Sequence, residues 1–463
     1  MLEFNKKTNL LESIAQEYPL EEVKDPNLYR DYFSYDDIPK VAFNRRIVPM
    51  DVPDDIWITD TTFRDGQQSR EPYTVEQMTK LFDMIHRLSG PNGVIRMSEF
   101  FLYTKKDQEA VYKCLEKGYR FPEITSWIRA SKKDFELVRQ IGLKETGILV
   151  SCSDYFKKMH MTRRQAVDHY LAVVRECIET GVKPRCHFED ITRADFYGFV
   201  VPFASELMAL MEDTGVPIKI RACDTLGYGV TYPGAVLPRS VPGIIYGLHN
   251  HAGVPHELIE WHGHNDFYRA VNNASYAWLY GASGVNCSLL GIGERTGNTP
   301  LEAMIFEYAQ LKGTLNGADT RVITEIARFY EDEIGYEIPP MTPFIGKNFN
   351  VTRAGIHADG LLKDEEIYNI FDTDKYLDRP VKIAISNTSG TSGIAHWINT
   401  FYNFRGTDAV DKKDKLVEIV KEWVDDQYNQ GRVTMITDGE IEEIVKKTAV
   451  ELKEEKYLRR DCQ

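Results

Sequence analysis

Ile56-Trp57-Ile58-Thr59-Asp60 runs straight into Thr61-Thr62-Phe63-Arg64-Asp65-Gly66-Gln67-Gln68. The first five residues read as a buried strand. The next eight read as a loop that carries an arginine, a carboxylate and an amide off the strand's C-terminal end. Further apolar runs recur near 93–101, 123–129, 145–151, 184–189, 217–223, 257–263 and 284–290. Stretches with helical spacing separate most of them. In Thr74 to Leu88, Val75, Met78, Leu81, Phe82, Ile85 and Leu88 form one stripe, and Thr74 with Gln77 makes a capping box at its start. A second helix is expected from Thr162 to Thr180. Eight strands alternating with helices over roughly 250 residues is the size of a (β/α)8 barrel. A doubly wound sheet is the competitor, but no G-x-G-x-x-G follows an early strand.

The barrel reading places Arg64/Asp65, Glu99, Glu189/Asp190, Asp224/Thr225, His262/His264 and Glu294 to Asn298 at strand C-terminal ends, the face where barrel active sites are built. Residues 1–50 read as a polar, aromatic-rich extension packed on the main body, and 51–340 as the barrel. Pro339-Pro340 and Pro343 mark a break. Residues 341–463 then read as smaller helical subdomains. There, Leu416, Ile419, Val420, Trp423 and Val424 stripe one helix, and Thr437 with Glu440 caps the last.

The 463 residues are 43% apolar and 27% charged, as in ordinary globular proteins, with mean hydropathy −0.38. A net charge of −14 argues against nucleic acid or an anionic membrane as bulk partner. Seven scattered cysteines without C-x-x-C fit a reduced, cytoplasmic compartment. No apolar run reaches membrane-spanning length, and the N-terminus has no signal-like apolar core.

His262 and His264, at i and i+2 on an extended segment, point to one side. Alone, such a pair is as often bonded to backbone carbonyls as to a metal. Asp65 and the neighbouring Asn265-Asp266 shift the balance toward metal, and Arg64 adds a cation. That is the inventory of a metal-assisted carbonyl reaction. The second pair, His249 and His251, reads as a surface loop without ligand function. Arg185, His187 and Glu189 share the lumen face of their strand. The arginine and glutamate there could simply pair, or could serve an anionic substrate and a base. The glycine-rich run 291–298 is by default a tight turn.

Several motifs occur in register: TTFRDGQQS (61–69), FED-x-x-R (188–193), DTLG (224–227), E-x-H-x-H-N-D (260–266), GIGERTGNT (291–299), PFIGKNF (343–349) and GIHADG (355–360). Together, across roughly residues 55–395, they resemble the isopropylmalate/homocitrate synthase family, metal-dependent acyltransferases that condense acetyl-CoA with a 2-oxo acid. The resemblance implies Asp65, His262 and His264 as metal ligands, with Asn298 a further contact. It implies Arg64 as the group that stabilises the keto oxygen, and Glu189 and His357 as candidates for proton transfer. Gln68, Glu99, Arg185, His187, Thr225 and Glu260 are the expected substrate-contacting positions. Manganese is the favoured ion, with magnesium, cobalt or zinc as alternatives and acetyl-CoA as co-substrate. A homodimer is expected, in which His357 serves the neighbouring subunit.

Phe63 and Gln67 depart from the family's usual leucine and glutamate, and Tyr268 stands at a usual glycine. The large C-terminal effector domain of isopropylmalate synthases is not expected, since few residues follow Ser389-Gly390. Homocitrate synthases resemble this chain in carrying an arginine at the position of Arg185. A guanidinium left free there would hold a second carboxylate. The expected substrate is therefore a dicarboxylic 2-oxo acid. Oxaloacetate, giving citrate and CoA, stands ahead of 2-oxoglutarate, with His187 and Tyr268 supplying bulk that favours the shorter acid. A homocitrate or isopropylmalate synthase is the alternative within the family. A biotin-dependent carboxyltransferase barrel, a lyase running the reverse carbon–carbon cleavage and a non-catalytic metal-binding barrel are the alternatives outside it.

Overall fold

The computed structural model describes residues 2–7, 9–13, 17–33, 35, 36, 38, 40–129, 131–155, 161–352, 357, 360, 361 and 363–454. The chain divides into two compact units, Met1–Asp319 and Thr320–Gln463. The proline-marked break at 339–343 lies within the second.

The first unit opens with a hairpin, β1 (Leu2–Asn5) and β2 (Leu10–Ser13). Eight parallel strands then close into a barrel: β3 (Trp57–Asp60), β4 (Ile95–Phe100), β5 (Glu123–Ile128), β6 (Glu145–Ser151), β7 (Lys183–Glu189), β8 (Lys219–Asp224), β9 (Ile259–Gly263) and β10 (Gly284–Cys287). Neighbours follow chain order, and β10 pairs back onto β3 with Gly284 opposite Trp57. All eight expected strands form within a few residues of their expected bounds.

Helices α1 (Val75–Ser89), α2 (Lys105–Leu115), α3 (Lys132–Ile141), α4 (Arg163–Glu179), α5 (Val201–Thr214), α6 (Val241–Asn250), α7 (Ala270–Leu279) and α8 (Leu301–Lys312) alternate with the strands. In α1 the apolar stripe Met78, Leu81, Phe82, Ile85 and Leu88 is fully buried. Its capping box at Thr74 and Gln77 is present, as is that of α4 at Thr162 and Gln165. Each such cap contributes about 1 kcal/mol. Between barrel and helices the core is apolar, with Ile58, Ile148, Phe188, Ile220, Trp261 and Val285 buried on the outward side of their strands.

The N-terminal extension is stitched to the barrel's surface by polar contacts. Buried Arg163 binds Asp154 at 2.8 Å, Asp195 at 2.9 Å and the Glu21 carbonyl at 2.9 Å. The Glu22 carboxylate accepts from the first backbone N–H groups of α4, where the helix dipole favours an anion. Further on, Val236 N–H donates to the Ala42 carbonyl, and Arg239 to that of Lys40.

The second unit holds α9 (Val322–Asp332) and, at its end, helices Thr391–Phe401, Lys415–Asn429 and Asp438–Leu452. The last three share a core of Ile394, Ile398, Leu416, Val420, Val424, Ile441 and Val445. A short parallel pair, Val351–Thr352 with Lys382–Ile383, accompanies them. No helix among the described residues is long and apolar enough to cross a membrane.

Candidate active site

Strand alternation sends Glu260, His262 and His264 into the lumen, while Trp261 between them is buried among the helices. His262 Nε2 lies 3.2 Å from His264 Nε2, and these atoms lie 3.7 and 3.8 Å from Asp65 Oδ2. Asp65 reaches them from the single helical turn Asp65–Gln67 that follows β3, across the β3–β10–β9 seam. All three are buried.

The glycine run 291–298 carries Asn298 to the same point. Gly297 has φ +90°, and a Cβ there would stand 2.1 Å from the Gly291 carbonyl oxygen. A Cβ on Gly293 would meet Asn298 Oδ1 at 2.6 Å. Both glycines are required by the tight turn, and the turn delivers a side chain. Asn298 Nδ2 donates to Asp65 Oδ2 at 2.7 Å. Its Oδ1 is buried without a hydrogen-bond partner.

The donor set suits a divalent cation. His262 Nδ1 lies 2.8 Å from Asn286 Oδ1, which fixes the proton on Nδ1 and leaves Nε2 with a free lone pair. Burial depresses His262. It also depresses His264, to about 4, with the neighbouring His262 adding to the effect. Burial alone would raise the Asp65 carboxyl, but Arg64, His262 and His264 outweigh it and hold it well below the usual carboxylate range. Two neutral imidazoles, an ionised carboxylate and an orphaned amide oxygen converge, which is a ligand set before an ion arrives.

Arg64 borders the cluster. Its Nη1 donates to Asp65 Oδ1 at 3.0 Å, and its Nε is buried without an acceptor, 4.0 Å from Glu99. The guanidinium sits 4.8 Å from the Trp127 ring and 6.0 Å from that of Phe101. Glu189 ends β7 beside Ser151, whose hydroxyl donates to it. Burial raises its carboxyl, and the Ser151 hydrogen bond opposes that only in part. Thr225 Oγ1 accepts the Asp190 N–H at 2.9 Å, holding the loops after β7 and β8 together. Gln68 is exposed at the rim.

Below the cluster the lumen is filled by an ionic layer. Arg185 pairs with Glu99, with Glu145 at 2.6 Å and, more distantly, with Glu260 at 3.8 Å. Arg221 binds Glu99 at 3.1 Å and Glu260 at 3.0 Å, and Lys219 binds Glu145 at 2.6 Å. Arg185 is therefore not the free guanidinium the sequence suggested, because three carboxylates surround it. Burial would raise Glu260, but Arg221 and Arg185 hold it near about 2. His187 lies between the layers, 3.3 Å from Arg185 Nε. Burial, then Arg221 and Arg185, keeps it neutral.

Tyr268 is 95% exposed and narrows nothing within this chain. Its φ of +56° lies in the left-handed region, the physical reason a glycine suits that position. His357 lies in the second unit, exposed, with its ring 4.3 Å from that of Tyr368. His249 and His251 do not form a loop pair. His249 lies in the last turn of α6, while His251 turns toward Tyr18, Tyr197 and Tyr246.

Sequence reading missed Arg221 and Asn286. Their signal was alternation: Lys219-Ile220-Arg221-Ala222 and Val285-Asn286-Cys287 each place a polar residue on a lumen position between apolar neighbours.

The chain is 58% identical to a citrate (Re)-synthase of Clostridium kluyveri, over 96% of this chain and 98% of that one. It is 54% identical to a citrate (Re)-synthase of Syntrophus aciditrophicus, over 94% of this chain and 70% of the relative. A 2-phosphinomethylmalate synthase of Streptomyces hygroscopicus is 34% identical over 92% of this chain and 97% of its own. A family model described as HMGL-like matches residues 55–329, which span the whole barrel and most of α9. The chain belongs to the HMGL-like family, alongside the isopropylmalate and homocitrate synthases its motifs resemble.

Proposed function

We propose that this protein is an acyltransferase that condenses acetyl-CoA with oxaloacetate to give citrate and CoA. The observation that carries the reading is the convergence of Asp65, His262 and His264 in a chain that matches a citrate (Re)-synthase over nearly its full length. The choice of oxaloacetate rests on that likeness and not on Arg185, whose partners make it part of the lumen's scaffold.

Asp65, His262 and His264 would hold a divalent ion, with Asn298 Oδ1 beside them; manganese is the favoured candidate. Such an ion supplies Lewis-acid polarisation of a keto group. The Arg64 Nε–H, buried and without an acceptor, is suited to a developing oxyanion, and the aromatic walls of Trp127 and Phe101 hold its plane. Glu189, raised by burial, is suited to take a proton from the acetyl methyl group, and Ser151 steadies its ionised form. The new carbon–carbon bond joins that methyl carbon to the keto carbon, and water then cleaves the thioester to release CoA. His357 remains a candidate for proton transfer, acting across a homodimer. The scattered, buried cysteines among the described residues accord with a reduced, cytoplasmic location.

The test is His262→Ala. It removes one ligand at a face that serves function more than packing. The variant is expected to stay folded and to lose both bound metal and CoA release. Full turnover of this variant after exhaustive chelation would refute the reading.

A further inference from the structure

A second group of ligating side chains lies at the opposite end of the barrel. Asp51 sits in the segment leading into β3, and its N–H donates to the Leu279 carbonyl at 3.0 Å. His249 is in the last turn of α6, and His256 opens the short turn His256–Leu258 that enters β9. All three precede strands, whereas Asp65, His262 and His264 lie at strand C-terminal ends.

His249 Nδ1 lies 2.8 Å from the Val254 carbonyl, and His256 Nδ1 lies 2.7 Å from the Gly281 carbonyl. A carbonyl accepts only, so each Nδ1 carries a proton and Nε2 is the ring atom left to act as a ligand. Both Nε2 atoms face one carboxylate oxygen, Asp51 Oδ2, at 3.9 and 3.5 Å. The rings stack at 3.7 Å with 18° between their planes. Gly281 makes this possible: its φ is +124°, and a Cβ there would stand 3.0 Å from His256 Nδ1.

Three acceptors thus converge within 4.8 Å of one another. Acceptors facing one another repel unless a positive charge lies between them. Outer nitrogens tied to backbone carbonyls are the usual second layer of histidine metal sites. We propose that Asp51, His249 and His256 bind a divalent cation of borderline softness, with zinc the best fit to two imidazoles and one carboxylate. Magnesium and calcium, which prefer all-oxygen shells, do not fit. The side chains are 46%, 28% and 26% exposed, so an ion loads from solution and keeps water at its remaining positions. Its effect is to pin the segment before β3 to α6 and to the start of β9. This site is separate from the proposed chemistry and does not depend on it.

The experiment is a Zn2+ titration of the full-length, metal-stripped protein by calorimetry, with bound zinc counted after gel filtration. Wild type is expected to bind two equivalents. His249→Ala/His256→Ala is expected to bind one and to release CoA at the wild-type rate when loaded. His262→Ala/His264→Ala is expected to retain one. Asp51→Asn, which keeps shape and fold, should weaken the second equivalent by more than about tenfold, the effect of disturbing even an outer-shell group. Equal stoichiometry in wild type and His249→Ala/His256→Ala would overturn the proposal. So would zinc-free His262→Ala/His264→Ala protein that is folded by circular dichroism.

Discussion

Arg185→Met keeps most of the volume of the side chain and removes its charge. In the structure three cations, Arg185, Arg221 and Lys219, face three carboxylates, Glu99, Glu145 and Glu260, in a buried layer. Methionine leaves one surplus negative charge out of water. Breaking a buried ion pair costs about 3–5 kcal/mol. Glu99 keeps Arg221 at 3.1 Å and Glu145 keeps Lys219 at 2.6 Å, so the lower end, about 3 kcal/mol, is expected. Urea unfolding followed through tryptophan fluorescence reads the loss, with Trp57, Trp127, Trp261 and Trp278 reporting on the barrel. With an m-value of about 3 kcal/mol/M, the barrel transition moves down by about 1 M. Arg185→Met/Glu99→Gln restores charge balance, leaving Arg221 with Glu260 and Lys219 with Glu145. It should be more stable than Arg185→Met alone, with a coupling of about 1–3 kcal/mol. A loss under about 1 kcal/mol, with kcat/KM for oxaloacetate collapsing, would refute this reasoning and return Arg185 to the substrate.

Two further outcomes are expected. Asn286→Ala frees the His262 ring, so metal affinity should fall about 10–100-fold while the barrel stays folded, as equilibrium dialysis would read; unchanged affinity would remove Asn286 from the site. The Glu189 carboxyl is raised by burial, so as a base it is lost to protonation when pH falls, and the acid limb of kcat/KM should lie above the usual glutamate value of about 4.3. Ser151→Ala removes a hydrogen bond to the ionised form and should move that limb to higher pH. A limb that stays put would take the proton away from Glu189. The sign for stability is opposite to that for activity: the folded form holds this proton more tightly, so the group's contribution falls as pH rises through its raised value.

The barrel was legible because its strands read as short apolar runs, most of them followed by a helical stretch such as Val75 to Leu88. Asp65, His262 and His264 were legible for a related reason. Strand ends converge in a barrel, so residue type at those ends is nearly a map of the site. The ionic layer was not legible. Whether Arg185 meets Glu99 or a substrate depends on which lumen residues share a level, and that is set by the stagger between strands. Arg221 sits opposite His187 on one side and Glu260 on the other, a register no single strand encodes. The stitching of the N-terminal extension was hidden likewise, since Arg163 reads as an ordinary helix-start residue until Asp154, Asp195 and Glu21 surround it.

The reaction inferred for this protein is a metal-dependent condensation on a dicarboxylic acid. It is tested most directly by acetyl-CoA-dependent thiol release with oxaloacetate, 2-oxoglutarate, 2-oxoisovalerate and pyruvate, each with and without a chelator. The highest kcat/KM is expected with oxaloacetate, with citrate as product and a loss of turnover on chelation that Mn2+ restores. A preference for 2-oxoisovalerate, or CoA release that survives chelation, would contradict it.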